Sequence, residues 1–210
     1  TVNDGVAEVA IGELREILFG RADIEIPLLG RSLLLPYDGF AQVNHQGAAI
    51  LLQQIRDACT EKRGTLLDLY CGSGAIGIAL SDHFDRIIGI EVQEKAIEQA
   101  RLNALRNNVE GEWHVGPVEK VLPTLNWDDP STIIVDPPRE GLHPSVAKFL
   151  ATQEADQLIY VACNPKSLAR DQKILEEGIW ILEQIWTVDL FPQTPHVETV
   201  GRFIRRSEDS

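Results

Sequence analysis

Leu66-Leu-Asp-Leu-Tyr-Cys-Gly-Ser-Gly-Ala-Ile-Gly77 passes from an apolar run into three glycines at Gly72, Gly74 and Gly77, with the spacing G-x-G-x-x-G. A short apolar run closed by glycines and followed by a helical pattern reads as a buried strand that turns sharply into a helix. Working outward, apolar runs at 65–70, 86–91, 112–115, 131–135 and 157–162 alternate with helical patterns near 75–82, 93–107, 117–122, 144–152 and 165–177. That alternation is the signature of a parallel sheet with helices on both faces. Two more β-rich segments follow, at 179–190 and 198–204, with only Phe191-Pro-Gln-Thr-Pro195 between them. Without a crossover helix, the last strand is expected to run antiparallel to its neighbours. The expected architecture is α/β and Rossmann-like, with a seven-stranded, mostly parallel sheet.

Residues 1–43 read as an appendage. A short amphipathic stretch (Val9-Ala10, Leu14, Ile17-Leu18) precedes two alternating segments, Asp23–Leu28 and Arg31–Leu35, which flank Leu29-Gly30 and predict a hairpin. The main domain is expected over 44–210. It opens with Asn44 as a helix N-cap, and Ile50, Leu51, Leu52, Ile55 and Cys59 recur at helical spacing until Gly64 ends the run. Ser207-Glu-Asp-Ser210 forms a polar tail.

The 210 residues carry 19 Lys and Arg against 32 Asp and Glu, a net charge of −13, which excludes a generic basic nucleic-acid binder. At 44% hydrophobic and 24% charged, the composition is that of a folded domain. Cys59, Cys71 and Cys163 show no C-x-x-C pairing, so neither a disulfide framework nor a metal site is expected. There is no run of 18 apolar residues and no signal-like N-terminus, and the expected location is the cytoplasm. The chain starts at Thr1 and has no Met, which reads as a piece of a longer protein.

In an open parallel sheet, ligands bind beyond the carboxyl ends of the strands. The predicted strand exits there are Cys71-Gly-Ser-Gly74, Glu91, Asp136-Pro-Pro-Arg139 and Cys163-Asn-Pro165, and an antiparallel last strand adds His196 and Glu198. Glu91 follows Gly72 by 19 residues, which taken alone fits a dinucleotide site. Asp68, inside the strand, argues for a cationic ligand instead of a pyrophosphate. S-adenosylmethionine is such a ligand: Glu91 suits its ribose hydroxyls, and the glycines allow close backbone approach. Asp136-Pro-Pro-Arg139 reads equally as a rigid strand-exit turn and as an acceptor for a planar ring N–H. Asn164 and Pro165 can start a helix, placing the Cys163 thiol at its positive end, where a nucleophilic thiolate is favoured. Cys59 fits a core position, Cys71 fits core and cofactor contact alike, and His196 reads as a hydrogen-bonded loop histidine. Glu198 alone reads as a solvated residue at a strand start.

Phe40-Ala-Gln-Val-Asn44, Leu67-Asp-Leu-Tyr-Cys-Gly-Ser-Gly74, Ile88-Gly-Ile-Glu91, Asp136-Pro-Pro-Arg-Glu-Gly141, Cys163-Asn-Pro-Lys-Ser-Leu-Ala-Arg-Asp171 and Asp189-Leu-Phe-Pro-Gln-Thr-Pro-His-Val-Glu-Thr199 together resemble the RNA 5-methyluridine methyltransferase family. The resemblance implies a class I methyltransferase that uses S-adenosylmethionine to methylate C5 of a uridine in tRNA or rRNA. It implies Cys163 as nucleophile and Glu198 as base, Gln42, Tyr70, Gly72, Glu91 and Asp136 around the cofactor, and Asp136 with Arg139 holding the uracil. Phe40 is a candidate stacking partner for the extruded base. Ala75 and Gly116-Pro117 depart from the family's usual adenosine contacts. The family's usual N-terminal RNA-binding module has no counterpart in this sequence, which accounts for its acidity, since phosphate binding needs Lys and Arg. Two other readings compete: an amino-group methyltransferase of nucleic acid or protein, against which Arg139 and Cys163 speak, and a catalytically silent RNA-binding module.

Overall fold

The computed structural model describes residues 23–36, 44–60, 63–125, 130–194 and 197–206. Among the described residues, nine strands and six α-helices follow in chain order: β1 (Asp23–Leu28), β2 (Arg31–Pro36), α1 (His45–Ala58), β3 (Thr65–Leu69), α2 (Ala75–Ala79), β4 (Arg86–Glu91), α3 (Glu94–Arg106), β5 (Glu112–Val115), α4 (Val118–Val121), β6 (Pro130–Val135), α5 (Pro144–Leu150), β7 (Gln157–Ala162), α6 (Pro165–Glu177), β8 (Trp180–Val188) and β9 (Glu198–Arg205).

Seven of the strands form one sheet in the order β5-β4-β3-β6-β7-β9-β8. Strands β3 to β7 pair in parallel, and β9 enters antiparallel between β7 and β8, as the missing crossover helix required. Every residue of β3 is buried because helices cover both faces. Alternation along each strand sorts its side chains into two cores. Leu66, Ile87, Ile134 and Ile159 pack with α1, α2 and α3 on one face. Leu67, Leu69, Ile88, Ile133 and Leu158 pack with α4, α5 and α6 on the other.

The chain winds outward from β3 through β4 to β5, then returns to β6 on the opposite side of β3. This reversal makes the carboxyl ends of β3 and β6 the switch point, where a doubly wound sheet opens a ligand crevice. The expected hairpin is present as β1 and β2, and its turn places both Leu29 (φ 47°) and Gly30 (φ 79°) in the left-handed region, the pattern of a type I′ turn.

Two local features depart from expectation. Helix α1 is capped by Asn44, whose Oδ1 accepts from the Gly47 N–H at 2.9 Å, but it stops at Ala58 and not at Gly64. Cys59 is extended, and the Thr60 N–H and hydroxyl both donate to Gln157 Oε1 at the start of β7, which draws the chain off the helix axis. Helix α2 is shorter than its pattern, ending at Ala79. The amphipathic stretch at 9–18 lies outside the described residues, as do Phe40, Gln42 and His196.

Candidate active site

The strand-to-helix turn after β3 is shaped by left-handed backbone at Tyr70 (φ 64°), Gly72 (φ 54°) and Gly74 (φ 79°). A Cβ at Gly72 would meet nothing within 4 Å, so that glycine leaves room above the backbone. A Cβ at Gly74 would press on the Trp113 ring at 3.0 Å and on Ala100 at 3.1 Å, so this glycine serves packing. Tyr70 is the strained member: a non-glycine residue held at positive φ costs on the order of 1–3 kcal/mol and marks functional turns. Its side chain packs towards the second core, where burial, outweighing a hydrogen bond from the His143 N–H, pushes the phenol up to about 12.

Helix α2 begins at Gly74, which has no side chain to cap it. Asp68 supplies the missing acceptor from within β3: its Oδ2 accepts from the Gly77 N–H at 3.0 Å. Its Oδ1 is buried and makes no hydrogen bond among the described residues. Burial pushes the Asp68 carboxyl up to about 7, the Gly77 bond pulls it back, and the Glu91 charge adds to the rise. Glu91, at the end of β4, accepts from the Gly72 N–H at 3.2 Å and from the Gln93 N–H at 2.9 Å. Thus a half-buried carboxylate, an open glycine backbone and an orphaned buried carboxylate oxygen lie around one turn. This donor and acceptor set fits a cationic nucleoside with a ribose: the Glu91 carboxylate can accept from hydroxyls, Gly72 leaves room for close approach, and Asp68 can supply negative charge.

Across the switch point, Arg139, Cys163, Phe191 and Glu198 line a crevice of about 200 Å³. Cys163 sits between the end of β7 and the start of α6, whose cap is Asn164, accepting from the Lys166 N–H at 3.2 Å. The Asn164 amide donates to the Arg139 carbonyl at 3.2 Å, tying the turn after β6 to the helix that follows the thiol. A buried cluster secures the same turn further along: Asp171 of α6 accepts from the Leu142 N–H at 2.8 Å, from the Tyr160 hydroxyl at 2.7 Å and from Arg170 Nε at 2.8 Å. A Cβ at Gly141 (φ 85°) would lie 2.6 Å from Asp171 Oδ2, so only glycine permits this closure. Glu198 is the first residue of β9, placed opposite Val188 and beside the end of β7. It is 5% exposed, not a solvated strand start.

Electrostatics here run against one expectation. The helix end was expected to favour the Cys163 thiolate, yet the thiol lies above its ordinary value. Desolvation raises it first, then the Glu198 and Asp136 charges, and Arg139 opposes them. Burial likewise raises Glu198. Asp136, just past β6, is exposed, yet its carboxyl is pushed up to about 8, by desolvation first and then by Glu198 and Asp68. Water at its open side screens those charges, so the open geometry tempers the shift. Asp136 is thus raised by the Glu198 and Asp68 charges, and Glu198 and Asp136 together disfavour the Cys163 thiolate.

Cys163, Glu198 and Arg139 are thus brought together, with Asp136 electrostatically coupled to the first two, while Tyr70, Gly72 and Glu91 shape the neighbouring turn. Phe191 and Asp171 were missed as site residues although both lie inside quoted motifs, because nothing in their spacing separates a crevice wall or a buried clamp from ordinary core. Among the described residues, no group of three His, Cys, Asp or Glu side chains is arranged to hold a metal ion, and no helix is long and apolar enough to cross a membrane.

The strand order, the reversed β9 and the crevice at the switch point define the class I methyltransferase fold. The Methanocaldococcus jannaschii tRNA m1G37 methyltransferase shares that fold with a TM-score of 0.65 at 13% identity, over 90% of this chain and 59% of that one. The chain belongs to the tRNA (uracil-5-)-methyltransferase family, whose model matches residues 25–113 and 124–207. An RNA methyltransferase of Clostridium tetani is 39% identical over 202 residues, 95% of this chain and 44% of the relative. One of Caldanaerobacter subterraneus is 35% identical over 203 residues, 96% of this chain and 45% of the relative. The crystal structure of the Pyrococcus abyssi tRNA (uracil-54, C5)-methyltransferase with S-adenosyl-L-homocysteine is similar at a TM-score of 0.84 and 34% identity, covering 97% of this chain and 50% of that one. The chain thus spans about half the length of the relatives it matches.

Proposed function

We propose that this chain is the catalytic part of an enzyme that methylates C5 of a uridine in tRNA or rRNA in the cytoplasm, with S-adenosylmethionine as methyl donor. The observation that carries this reading is the single crevice that Cys163 and Glu198 line together with Arg139 and Phe191. S-adenosylmethionine supplies an electrophilic methyl group on a sulfonium. Glu91 and Gly72 hold its ribose, Gln42 and Tyr70 complete its surroundings, and Asp68 answers its positive charge.

Uracil C5 is a poor nucleophile until C6 is attacked. The Cys163 thiolate forms a bond to C6, and the C5=C6 π electrons move towards C5 as enolate density; this carbon would displace the methyl group from the donor's sulfonium, the S–CH3 bonding pair staying on sulfur as the neutral thioether, S-adenosylhomocysteine, leaves. Glu198 then removes the proton left on C5. The electrons of that C–H bond restore C5=C6, the C6–S bond breaks, and its electron pair returns to sulfur. Asp136 and Arg139 hold the ring, and Phe40 stacks on the extruded base. Arg139 also favours the thiolate, opposing the burial and the carboxylates that raise Cys163. RNA phosphates are held largely by an N-terminal RNA-binding module, because this chain has a net charge of −13.

The reading is tested by incubating the protein with a labelled methyl donor and uridine-containing RNA, then digesting the RNA to nucleosides. Label in 5-methyluridine supports it. Label on an exocyclic amine would install the amino-group reading, and donor binding without transfer to any RNA would favour the silent module.

A further inference from the structure

We propose that Asn103 is a positioning residue of the cofactor site, through which the β1–β2 hairpin sets the shape of the glycine turn. The inference rests on the cofactor reading above and adds a part to it that no motif in the sequence marks.

Asn103 lies on α3 and is completely buried. Its Oδ1 accepts from the Leu34 N–H of β2 at 2.8 Å, and its Nδ2 donates to the Ser73 carbonyl at 3.3 Å. One partner is a backbone donor and the other a backbone acceptor, so the orientation of the amide is fixed by chemistry. Gln99, one turn earlier, donates to Asn103 Oδ1 at 3.3 Å and to the Leu34 carbonyl at 2.6 Å. A single buried side chain therefore bridges the hairpin and the turn that carries Gly72 and Gly74.

The hairpin is seated firmly enough to act as an anchor. Asn107, one turn beyond Asn103, accepts from the Ser32 N–H at 2.9 Å and donates to the Ser32 carbonyl at 2.8 Å, as a neighbouring strand would. Two residues along a strand span roughly 6.6 Å, and side chains four apart on a helix lie about 5–6 Å apart, so Asn103 and Asn107 match Leu34 and Ser32. Arg106 pairs with Glu25 at 2.5 Å. Ile26, Leu28, Leu33 and Leu35 are buried in the same core cluster as Cys71, Ile76 and Ala100. By its contacts this hairpin belongs with the glycine turn.

The turn itself is held by side chains at two successive residues. Glu91 takes the Gly72 N–H from the β4 side, and Asn103 takes the Ser73 carbonyl from the α3 side. A ligand hydroxyl arriving at Glu91 competes with the Gly72 N–H for the same carboxylate. The Asn103 bond involves a different backbone group, the Ser73 carbonyl, and keeps that residue in place while the exchange happens.

The test is S-adenosylhomocysteine binding by calorimetry, with amide hydrogen exchange at Gly72–Gly74 in the ligand-free chain. Asn103→Leu removes both bonds at nearly constant size, and Asn103→Ala serves if the leucine is not tolerated. Asn107→Ala is the control, because it removes a hairpin contact of the same chemistry at Ser32 while the Leu34–Asn103–Ser73 link stays in place. Either Asn103 variant should weaken binding about five- to tenfold and speed exchange at the turn, whereas Asn107→Ala should lower the melting temperature with affinity within about twofold. Wild-type affinity and exchange in the Asn103 variants, or an equal loss in Asn107→Ala, would overturn the inference while leaving the cofactor reading intact. Failure of the wild-type chain to bind would instead sink the cofactor reading, and the inference with it.

Discussion

The Gly77 N–H, in the first turn of α2, donates to Asp68 Oδ2 in β3 at 3.0 Å, and this leaves Oδ1 buried without a hydrogen bond among the described residues. The carboxyl is thereby held up to about 7, mainly by burial. A cation at the turn favours the ionised form, so its binding expels a proton below that value. S-adenosylmethionine affinity should fall up to about tenfold per pH unit below pH 7, and Asp68→Asn should flatten the profile. Calorimetry at pH 6 and pH 8 checks this. Stability moves the other way. A raised carboxyl adds stability that is full below the unfolded value near 4 and fades as pH rises through about 7. Urea midpoints should therefore fall between pH 5 and pH 8 in the wild type, and fall less in Asp68→Asn.

Gly72 and Gly74 share a left-handed backbone but not a surrounding. Gly72→Ala meets open space and should cost about 1–2 kcal/mol, the conformational penalty alone. Gly74→Ala adds pressure on Trp113, Ala100 and Ile78 at 3.0–3.1 Å and should cost about 2–4 kcal/mol. Urea unfolding ranks the two, and equal losses would contradict the division between a glycine for access and one for packing.

Cys163 is half-buried while Cys59 and Cys71 are buried, so alkylation of the native chain reports on Cys163. Its rate should rise with pH along a curve displaced above that of a free thiol, since burial, Glu198 and Asp136 all disfavour the thiolate. Arg139→Ala removes the opposing charge and should displace the curve further upward. A curve that shifts downward would mean the arginine does not favour the thiolate.

Binding of RNA by these 210 residues should be weak and have a shallow dependence on salt, because a net charge of −13 leaves few phosphate contacts. Filter binding at several salt concentrations checks the slope. A slope as steep as that of a dedicated phosphate binder would place the RNA surface on this chain, around Arg139, Lys166 and Arg170.

Where local patterning and tertiary requirement coincide, as in β3 with its three leucines and the glycines that follow it, the fold was legible in the sequence. The reversed β9 was legible for a negative reason, the absence of a crossover helix. Cys163 could be nominated because strand ends converge in a doubly wound sheet and a helix starts beside it, whereas Glu198 alone read as a solvated strand start and was nominated only by the family resemblance. Asn103 was not legible: on a helix whose other face is polar, a buried asparagine looks like any solvated one until its partners in β2 and the glycine turn are known. The raised Cys163 thiol was missed for a related reason. Helix-end electrostatics can be read from local sequence, whereas the charges of Glu198 and Asp136 reach the thiol only through the tertiary fold.

The sharpest test divides labour between Cys163 and Glu198. If the thiol opens the reaction and the carboxylate closes it, removing each should stop the cycle at a different stage. Cys163→Ala should abolish methyl transfer and leave no protein–RNA cross-link, because no bond to C6 can form. Glu198→Gln keeps size and a hydrogen-bonding group but cannot take the C5 proton. Methylated RNA should then accumulate covalently attached to Cys163, visible as a slower band on a denaturing gel and carrying label from either the RNA or the methyl donor. The raised Glu198 carboxyl adds a pH signature: its base form is lost as pH falls through a value above the ordinary glutamate range, so turnover in the wild type should decline on the acid side while adduct persists. A Cys163→Ala protein that still forms 5-methyluridine, or a Glu198→Gln protein that turns over at the wild-type rate, would remove the covalent mechanism and return the amino-group reading to first place.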